Sequence, residues 1–416
     1  MLPVCSRSGT GIPFFDALFT AASATCVTGL VVFDTWTQFT SLGQAVILLL
    51  IQVGGLGFMS LALFFPLILR RRIGLKERAF LMEALSSQQL SGVVRLVKHV
   101  LYGTFLVELL GALLLMTRFV PAFGPAQGLW YALFHSVSAF CNAGFDLMGR
   151  FSPYASLSPF AGDAVVNLTV CALIVIGGIG FIVWEDILQH GLRVRRYSFH
   201  ARVVLLTTAV LILFGTLLFY LTERRGVLAG LPFGQQLLRA LFLSISPRTA
   251  GFNTVDMDAL SPSGFLLTVL FMFIGAAPGS TGGGIKVTTF VVLGCAVAAH
   301  MRGSSDTDLL DRRVDPLQVK KAFCSVTWYL FLAVTGCFLV SLGQNLPIHS
   351  ILFECFSAIG TVGLSTGITR MLAPASRLVL ILLMFAGRIG SLTVFMTITE
   401  RQERRLRNPV EKIIIG

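Results

Sequence analysis

Long apolar runs alternate with short basic connections along the whole chain, and they predict helices that cross a bilayer. A helix needs about 20 apolar residues to cross the hydrocarbon core. Runs of this length occur, for example, at residues 164–184 and 378–399. A single soluble core cannot account for so many of them. The pattern predicts an all-α, multi-pass protein of the cell membrane.

A shorter pattern lies between the long runs and returns four times. Each copy reads as a short helix of about ten residues, a turn of small residues around a glycine, and then an apolar run. The glycines are separated by 115, 107 and 112 positions, and so regular a period indicates internal repeats. They are Gly29, Gly144, Gly251 and Gly363. The predicted repeats cover residues 1–94, 95–198, 199–318 and 319–416.

The short helices are too short to span a membrane. Ten residues at about 1.5 Å each cannot cross a core about 30 Å thick, so the segment must enter and return on the same side. Each repeat is therefore predicted to be helix, pore loop, helix, arranged with the others around a pseudo-fourfold pore. Only 13 residues precede Phe14, so we expect the first repeat to lack its first helix in this sequence.

Composition and charge agree with a membrane location. The 416 residues are 55% hydrophobic and 12% charged, with a mean hydropathy of +0.82, against about 25% charged residues in soluble domains. The net charge of +12 does not indicate a nucleic-acid partner, because the basic residues cluster in the connections and not on one soluble face. The clusters lie at 70–78, 193–202, 302–321 and 401–407. By the positive-inside rule these connections are cytoplasmic, and the glycine turns face outward.

The turns carry the chemistry of a cation path. Non-helical backbone inside a membrane is tolerated where it lines a watery path, and rings of carbonyl oxygens can replace the hydration shell of an ion. Glycine permits the positive φ that this backbone needs. The absence of carboxylates in the turns favours a monovalent ion over calcium or magnesium. The candidate ion-binding residues are Val27, Thr28 and Gly29, Asn142, Ala143 and Gly144, Thr249, Ala250 and Gly251, and Thr361, Val362 and Gly363. Glycines that merely allow close helix packing are the alternative.

The third repeat contains a second unusual segment, GAAPGSTGGGIK at residues 275–286. Glycine and proline weaken a helix, so we predict a mobile break, with a kinked packing helix as the alternative. Arg388 lies inside an apolar run, where a charged side chain is costly, so we predict a functional role for it. The alternative is that its side chain extends to the membrane interface. The candidate gating residues are Gly275, Gly279, Ser280, Thr281, Gly282, Gly283, Gly284, Lys286 and Arg388.

The four turn segments resemble the filters of the Trk/Ktr/HKT superfamily of potassium transporters. They read TCVTGL, FCNAGFD, PRTAGFNTVD and GTVGLSTGIT, and the ending NPVEKIIIG is similar to that of the Ktr channel subunit. The resemblance implies potassium uptake through a selective pore. At the position of Gly29, potassium-selective members have glycine and some sodium-conducting members have serine. It also implies that the 275–286 segment obstructs the pore below the filter, that Arg388 faces the pore as a barrier to cations, and that Arg248 braces the third turn.

The resemblance also implies partners. It predicts a homodimer and a cytosolic nucleotide-binding ring that docks on the basic inner surface, with potassium as substrate and no cofactor bound by this chain. The resemblance does not specify the sodium dependence, the regulatory nucleotide or the resting state of the gate. A secondary ion-coupled transporter with a broken-helix binding site is the alternative. An enzyme is not expected, because HExxH and paired intramembrane carboxylates are missing from the sequence.

Overall fold

The structure is a computed structural model that describes residues 3–57, 93–191 and 193–390. These residues are overwhelmingly helical, which confirms the helical class. The basic clusters at 70–78 and 401–407 and the C-terminal NPVEKIIIG lie outside the described residues.

Fourteen α-helices are numbered here in chain order within the described residues. The first seven are α1 (Phe14–Thr25), α2 (Thr35–Gln38), α3 (Ser41–Leu56), α4 (Val93–Phe123), α5 (Pro125–Phe140), α6 (Ala164–Gly178) and α7 (Phe181–His190). The others are α8 (Phe199–Glu223), α9 (Phe233–Ile245), α10 (Pro262–Phe273), α11 (Val287–Met301), α12 (Pro316–Gly343), α13 (Ile348–Gly360) and α14 (Pro374–Ile389). Before Phe14 the described chain forms a short 3-10 turn at Pro3–Cys5 and an isolated antiparallel bridge from Ser6 to Phe39.

Three of the described helices are long and apolar enough to cross a bilayer, over Val97–Phe123, Phe199–Glu223 and Pro316–Gly343. The pair α6 and α7 makes a fourth candidate span that bends by 96° at its break. The long helices expose large apolar side chains, among them Leu213 at 72%. Contiguous apolar surface of this kind is unfavourable in water, so it faces lipid.

Local sequence signals explain where the helices begin. The Asp163 carboxylate accepts hydrogen bonds from the N–H groups of Val165 (2.9 Å) and Val166 (3.2 Å), which caps α6. Proline occupies the first turn of α5, α10, α12 and α14, where its missing N–H costs no helical hydrogen bond.

The four predicted repeats, called units below, pack against one another in a closed ring. The apolar helix that follows each glycine turn packs against the short helix of the next unit, in the pairs α3 with α5, α6 with α9, and α10 with α13. The fourth such helix, α14, packs against α1. The last unit therefore contacts the first, and the four short helices surround a common centre.

The helices that follow the turns all break at a corresponding point. Gly57, Gly180 and Gly390 end or interrupt three of them with nearly the same backbone, at φ of 80°, 91° and 87° and ψ of 134°, 144° and 143°. A residue with a Cβ rarely adopts this φ, which explains the glycine. In the third unit α10 ends at Phe273, and the 275–286 loop occupies the break.

One small element departs from the all-α prediction. Strands β1 (Asp308–Leu309) and β2 (Arg312–Arg313) pair antiparallel in a basic connection. Leu310 and Asp311 between them have φ of +47° and +60°, as a two-residue type I′ hairpin turn requires. The turn lacks the usual glycine, so no sequence signal predicted the hairpin.

Candidate functional site

The four glycine turns (27–29, 142–144, 249–251 and 361–363) meet at the centre of the molecule. A methyl group added to Gly29 would lie 2.5 Å from the carbonyl oxygen of Ala143, and one added to Gly144 would lie 2.8 Å from that of Ala250. Methyl groups at the other two glycines would likewise collide with a neighbouring carbonyl. Those pairs are Gly251 with Val362, and Gly363 with Thr28. The turns thus form a closed ring in chain order, and their carbonyl oxygens leave no room for side chains at the glycines.

The backbone of the turns repeats a distinctive conformation. The positive φ expected at the glycines is observed at all four, between 68° and 94°. The residue two positions earlier is also left-handed, which sequence analysis did not predict. These residues are Val27 (56°), Asn142 (58°), Thr249 (72°) and Thr361 (50°). Such a conformation costs about 1–3 kcal/mol per residue and persists only where its surroundings enforce it.

Backbone amides of the turns are satisfied by the short helices. In each turn the N–H of the residue before the glycine donates to a serine carbonyl near the end of the preceding helix. These bonds join Thr28 to Ser23 (2.8 Å), Ala143 to Ser138 (2.8 Å), Ala250 to Ser246 (3.0 Å) and Val362 to Ser357 (2.8 Å). Because these N–H groups of the turns are bonded to the serine carbonyls, the carbonyl groups of the turns remain free to face the centre of the ring.

A cavity of about 180 Å³ opens on one side of the ring. All four glycines line it, together with the carboxylates Asp34, Asp146 and Asp256 and the guanidinium of Arg370. Burial raises the pKa of Asp146 to about 7. The N–H of Met148, which donates to the Asp146 carboxylate, lowers this pKa, and the nearby charge of Asp34 raises it. Three acidic side chains thus line the cavity, and they lie outside the membrane-spanning helices.

The 275–286 loop lies on the opposite side of the ring and is bonded to several units. The Thr281 hydroxyl donates to the carbonyl of Phe140 at the end of α5 (3.1 Å), and the N–H of Gly283 donates to the Thr361 hydroxyl (3.1 Å). A methyl group on Gly282 would collide with the Thr249 side chain. The loop is thus in direct contact with the second, third and fourth turns or their helices.

Two basic side chains hold this loop from within the protein. Lys286 donates from Nζ to the carbonyl of Gly282 (2.7 Å) and contacts that of Gly283 at 3.4 Å. Arg388 donates to the carbonyl of Thr281 and, from its other nitrogen, to those of Gly54 and Gly55 in α3. Both side chains thus bond to interior backbone and do not snorkel to an interface, and Arg388 connects the loop to the first unit.

Comparisons with known proteins agree with this architecture. The chain matches the family model of TrkH, described as a cation transport protein, over residues 3–405. It belongs to the TrkH family of cation transport proteins. The resemblance stated from the turn segments is thereby confirmed, and the chain is an integral membrane transporter and not an enzyme.

Relatives of this TrkH-family chain match it along its whole length. It is 40% identical to the potassium/sodium uptake protein NtpJ of Enterococcus hirae and 41% identical to the Ktr system potassium uptake protein B of Bacillus subtilis, covering 100% of this chain and 92% of each relative. The crystal structure of the potassium transporter TrkH from Vibrio parahaemolyticus superimposes with a TM-score of 0.73 at 21% identity, covering 94% of this chain and 79% of that one. The fold is therefore that of TrkH.

Two features near the turns differ from, or add to, the sequence analysis. Arg248 is buried at 8% exposure, but its Nε has no hydrogen-bond partner within residues 3–57, 93–191 and 193–390. The expected brace of the third turn is therefore not seen as a hydrogen bond. The Asn142 amide and the Thr249 hydroxyl lie 2.9 Å apart and link the second and third turns, which no sequence signal indicated.

Proposed function

We propose that the four glycine turns are the selectivity filter of a potassium-uptake pore built from four helix–pore-loop–helix repeats around a pseudo-fourfold axis. The closed ring of turns with matching positive-φ positions carries this proposal. Potassium is the proposed substrate because NtpJ and the Ktr proteins are named for potassium uptake. NtpJ is also named for sodium, so sodium is the ion against which selectivity is tested.

Carbonyl oxygens perform the recognition in this proposal. Those of Thr28, Ala143, Ala250 and Val362 lie against the neighbouring glycines, where together they can replace water around a dehydrated cation. The short helices end close to the turns, and the partial negative charge at a helix C-terminus favours a cation there. No carboxylate is required at the ion in such a site.

The 275–286 loop is the proposed gate. Its hydrogen bonds to Phe140 and Thr361 hold it against the inner side of the ring, and the charges of Lys286 and Arg388 oppose a cation beneath the filter. Opening requires the loop to leave these contacts. We propose that the chain acts as a homodimer and that a cytosolic nucleotide-binding ring drives the opening. The names of the relatives, proteins B and D of a Ktr system, support a system of more than one component.

A secondary ion-coupled transporter is the second candidate. The 96° break between α6 and α7 is a feature that such transporters share. The ring of four equivalent turns favours the pore, because a binding site between two inverted halves would not need four of them.

Gly29→Ser is expected to reduce potassium uptake strongly and to lower the selectivity of the residual uptake for potassium over sodium by about tenfold, equivalent to about 1.4 kcal/mol. Its added side chain would press on the Ala143 carbonyl at a φ of +94°. Potassium uptake and its inhibition by sodium are measured in a transport-deficient bacterium that also expresses a Ktr-type cytosolic subunit.

The matched control for this test is Gly9→Ser. Gly9 also has a positive φ (+69°) but has no atoms near its added Cβ, so selectivity should be unchanged. Loss of expression is checked by membrane blot. An unaltered chain that supports no potassium uptake alongside the cytosolic subunit would overturn the pore proposal.

Uptake is expected to rise as the external pH increases from 6 to 8. With a pKa of about 7, Asp146 is mostly neutral at pH 6 and mostly ionised at pH 8, and its negative charge attracts cations to the cavity it shares with Asp34, Asp256 and Arg370. We expect the KM for potassium to fall by about two- to threefold over this range. In Asp146→Asn this pH dependence should vanish, and a wild-type profile in that variant would contradict the assignment.

A further inference from the structure

One buried serine, in each short helix or directly after it, reaches the turn that follows. Ser23, Ser138 and Ser357 stand six positions before the glycine of the turn, and Ser246 stands five before it. All four are at most 2% exposed. As described above, the carbonyl of each serine accepts the N–H of the residue before the glycine. The serine hydroxyls make a second set of bonds to the same turns.

In the first and fourth turns the hydroxyl is an acceptor. The N–H of Gly29 donates to Ser23 Oγ at 3.1 Å, and the N–H of Gly363 donates to Ser357 Oγ at 3.0 Å. Each of these serines therefore holds two consecutive N–H groups, one through its carbonyl and one through its hydroxyl.

In the second and third turns the hydroxyl is a donor. Ser138 Oγ donates to the carbonyl of Phe145 at 2.7 Å, and Ser246 Oγ donates to the carbonyl of Phe252. Each of these serines thus fixes the backbone on both sides of the glycine, with its carbonyl before the glycine and its hydroxyl after it. The direction of the bond and the atom it reaches differ between the turns, but in all four turns the hydroxyl bonds to the backbone of the glycine or of the residue after it.

These bonds supply what the strained backbone requires. The left-handed residues Val27, Asn142, Thr249 and Thr361 are unfavourable in isolation and persist only when neighbouring contacts fix the adjoining peptide planes. Rotation of a peptide plane next to the glycine would turn a carbonyl away from the centre of the ring. A group that opposes this rotation therefore acts on ion selectivity without touching the ion.

We propose that Ser23, Ser138, Ser246 and Ser357 are positioning residues that hold the four turns in the conformation that distinguishes potassium from sodium. The inference rests on the proposed function, because it assigns these serines to the filter of that pore. It predicts a change in selectivity on removal of a hydroxyl, which a purely structural serine would not produce.

The second and third short helices contain matched control serines. Ser136 and Ser244 are as buried as Ser138 and Ser246 and stand two positions earlier in the same helices. Their hydroxyls donate away from the turns, to the carbonyls of Glu108 (2.6 Å) and Ile212 (3.0 Å) on α4 and α8. Replacing them with alanine removes the same atoms without touching the turns.

The experiment measures potassium uptake and its inhibition by sodium for Ser138→Ala and Ser246→Ala, with Ser136→Ala and Ser244→Ala as controls. A buried hydrogen bond of about 1 kcal/mol corresponds to about a fivefold change in the selectivity ratio. We expect that loss in the first pair and a wild-type ratio in the second. Thermal stabilisation of the purified proteins by potassium chloride relative to sodium chloride gives a second readout, since a bound ion stabilises the folded state.

The outcomes separate the two proposals. A wild-type chain that neither takes up potassium nor is stabilised by it would refute the pore itself. A selective wild-type chain with unchanged ratios in Ser138→Ala and Ser246→Ala, or with equal losses in the controls, would refute the role of the serines alone. If an alanine variant does not reach the membrane, Ser138→Cys replaces it, because the thiol fills the same space as a weaker donor, and the same two outcomes apply.

Discussion

Gly144→Ala is expected to abolish potassium uptake, with a loss of about 100-fold or more. The added methyl group would lie 2.8 Å from the Ala250 carbonyl oxygen and 3.0 Å from the Cα of Gly251, both of them backbone atoms of the neighbouring turn. Backbone cannot rotate away as a side chain can, so the ring must widen or the variant must lose its conformation. Overpacking of this kind costs about 1–3 kcal/mol, and the positive φ of 68° adds to it. Initial rates of rubidium or potassium uptake measure the loss.

Gly230→Ala is the matched control for this substitution. Gly230 has a nearly identical φ of +73°, but an added methyl group would meet no atom within 4 Å. It therefore carries the same backbone strain without the steric conflict, and its uptake should remain near wild type when corrected for protein amount. Equal losses in both variants would assign the effect to backbone strain and would argue against a close-packed ring.

Arg388→Gln is expected to raise the resting rate of potassium uptake by about tenfold in the absence of a cytosolic subunit. The substitution removes hydrogen bonds from a charged donor to Thr281 in the loop and to Gly54 and Gly55 in α3. Such bonds are worth about 1.5–3 kcal/mol each, and a shift of about 1.4 kcal/mol toward the open loop changes its population tenfold. The loss of a positive charge beneath the filter acts in the same direction. Uptake by proteoliposomes that contain the purified chain alone isolates this effect.

Arg377→Gln on the same helix provides the comparison. Arg377 also connects the fourth unit to the first, through an ion pair with Asp16. It donates a second bond to the Arg370 carbonyl of its own unit at 3.0 Å, and it does not contact the 275–286 loop. Its replacement removes the same charge and should reduce the amount of folded protein without raising the flux per molecule. A tenfold rise in both variants would mean that weakening the contact between the units is sufficient to leak, and the loop would lose its role as the gate.

The sequence predicted the fold best at features that recur in every repeat, the apolar runs and the glycine turns. A period of about 110 positions and the length of the apolar runs placed the long helices, the short helices and the four glycines. These features follow from the thickness of the bilayer and from the need for a positive φ, both of which act on single residues or on composition. The break at 275–286 was evident for the same reason, because glycine and proline act locally.

Features that depend on neighbours were not predictable in this way. The left-handed conformation of Val27 and Thr249 contradicts the preference of β-branched residues, and only the serine bonds and the adjoining turns enforce it. The brace expected of Arg248 stays a prediction, since the side chain is buried beside the third turn but its Nε has no hydrogen-bond partner within the described residues. The contacts of Arg388 with Gly54 and Gly55 join positions more than 330 residues apart, which no local pattern specifies.

The circular packing of the units has a consequence for how the protein is made. Helix α14 packs against α1, and Arg377 and Asp16 form their ion pair across 361 positions of chain. The ring therefore cannot close until nearly the whole polypeptide has left the ribosome and entered the bilayer. Until then the first turn has a neighbour on one side only, and its polar backbone needs another cover, from water, lipid headgroups or an insertion factor. A ribosome that stalls before α14 would leave the ring of turns open between the fourth unit and the first.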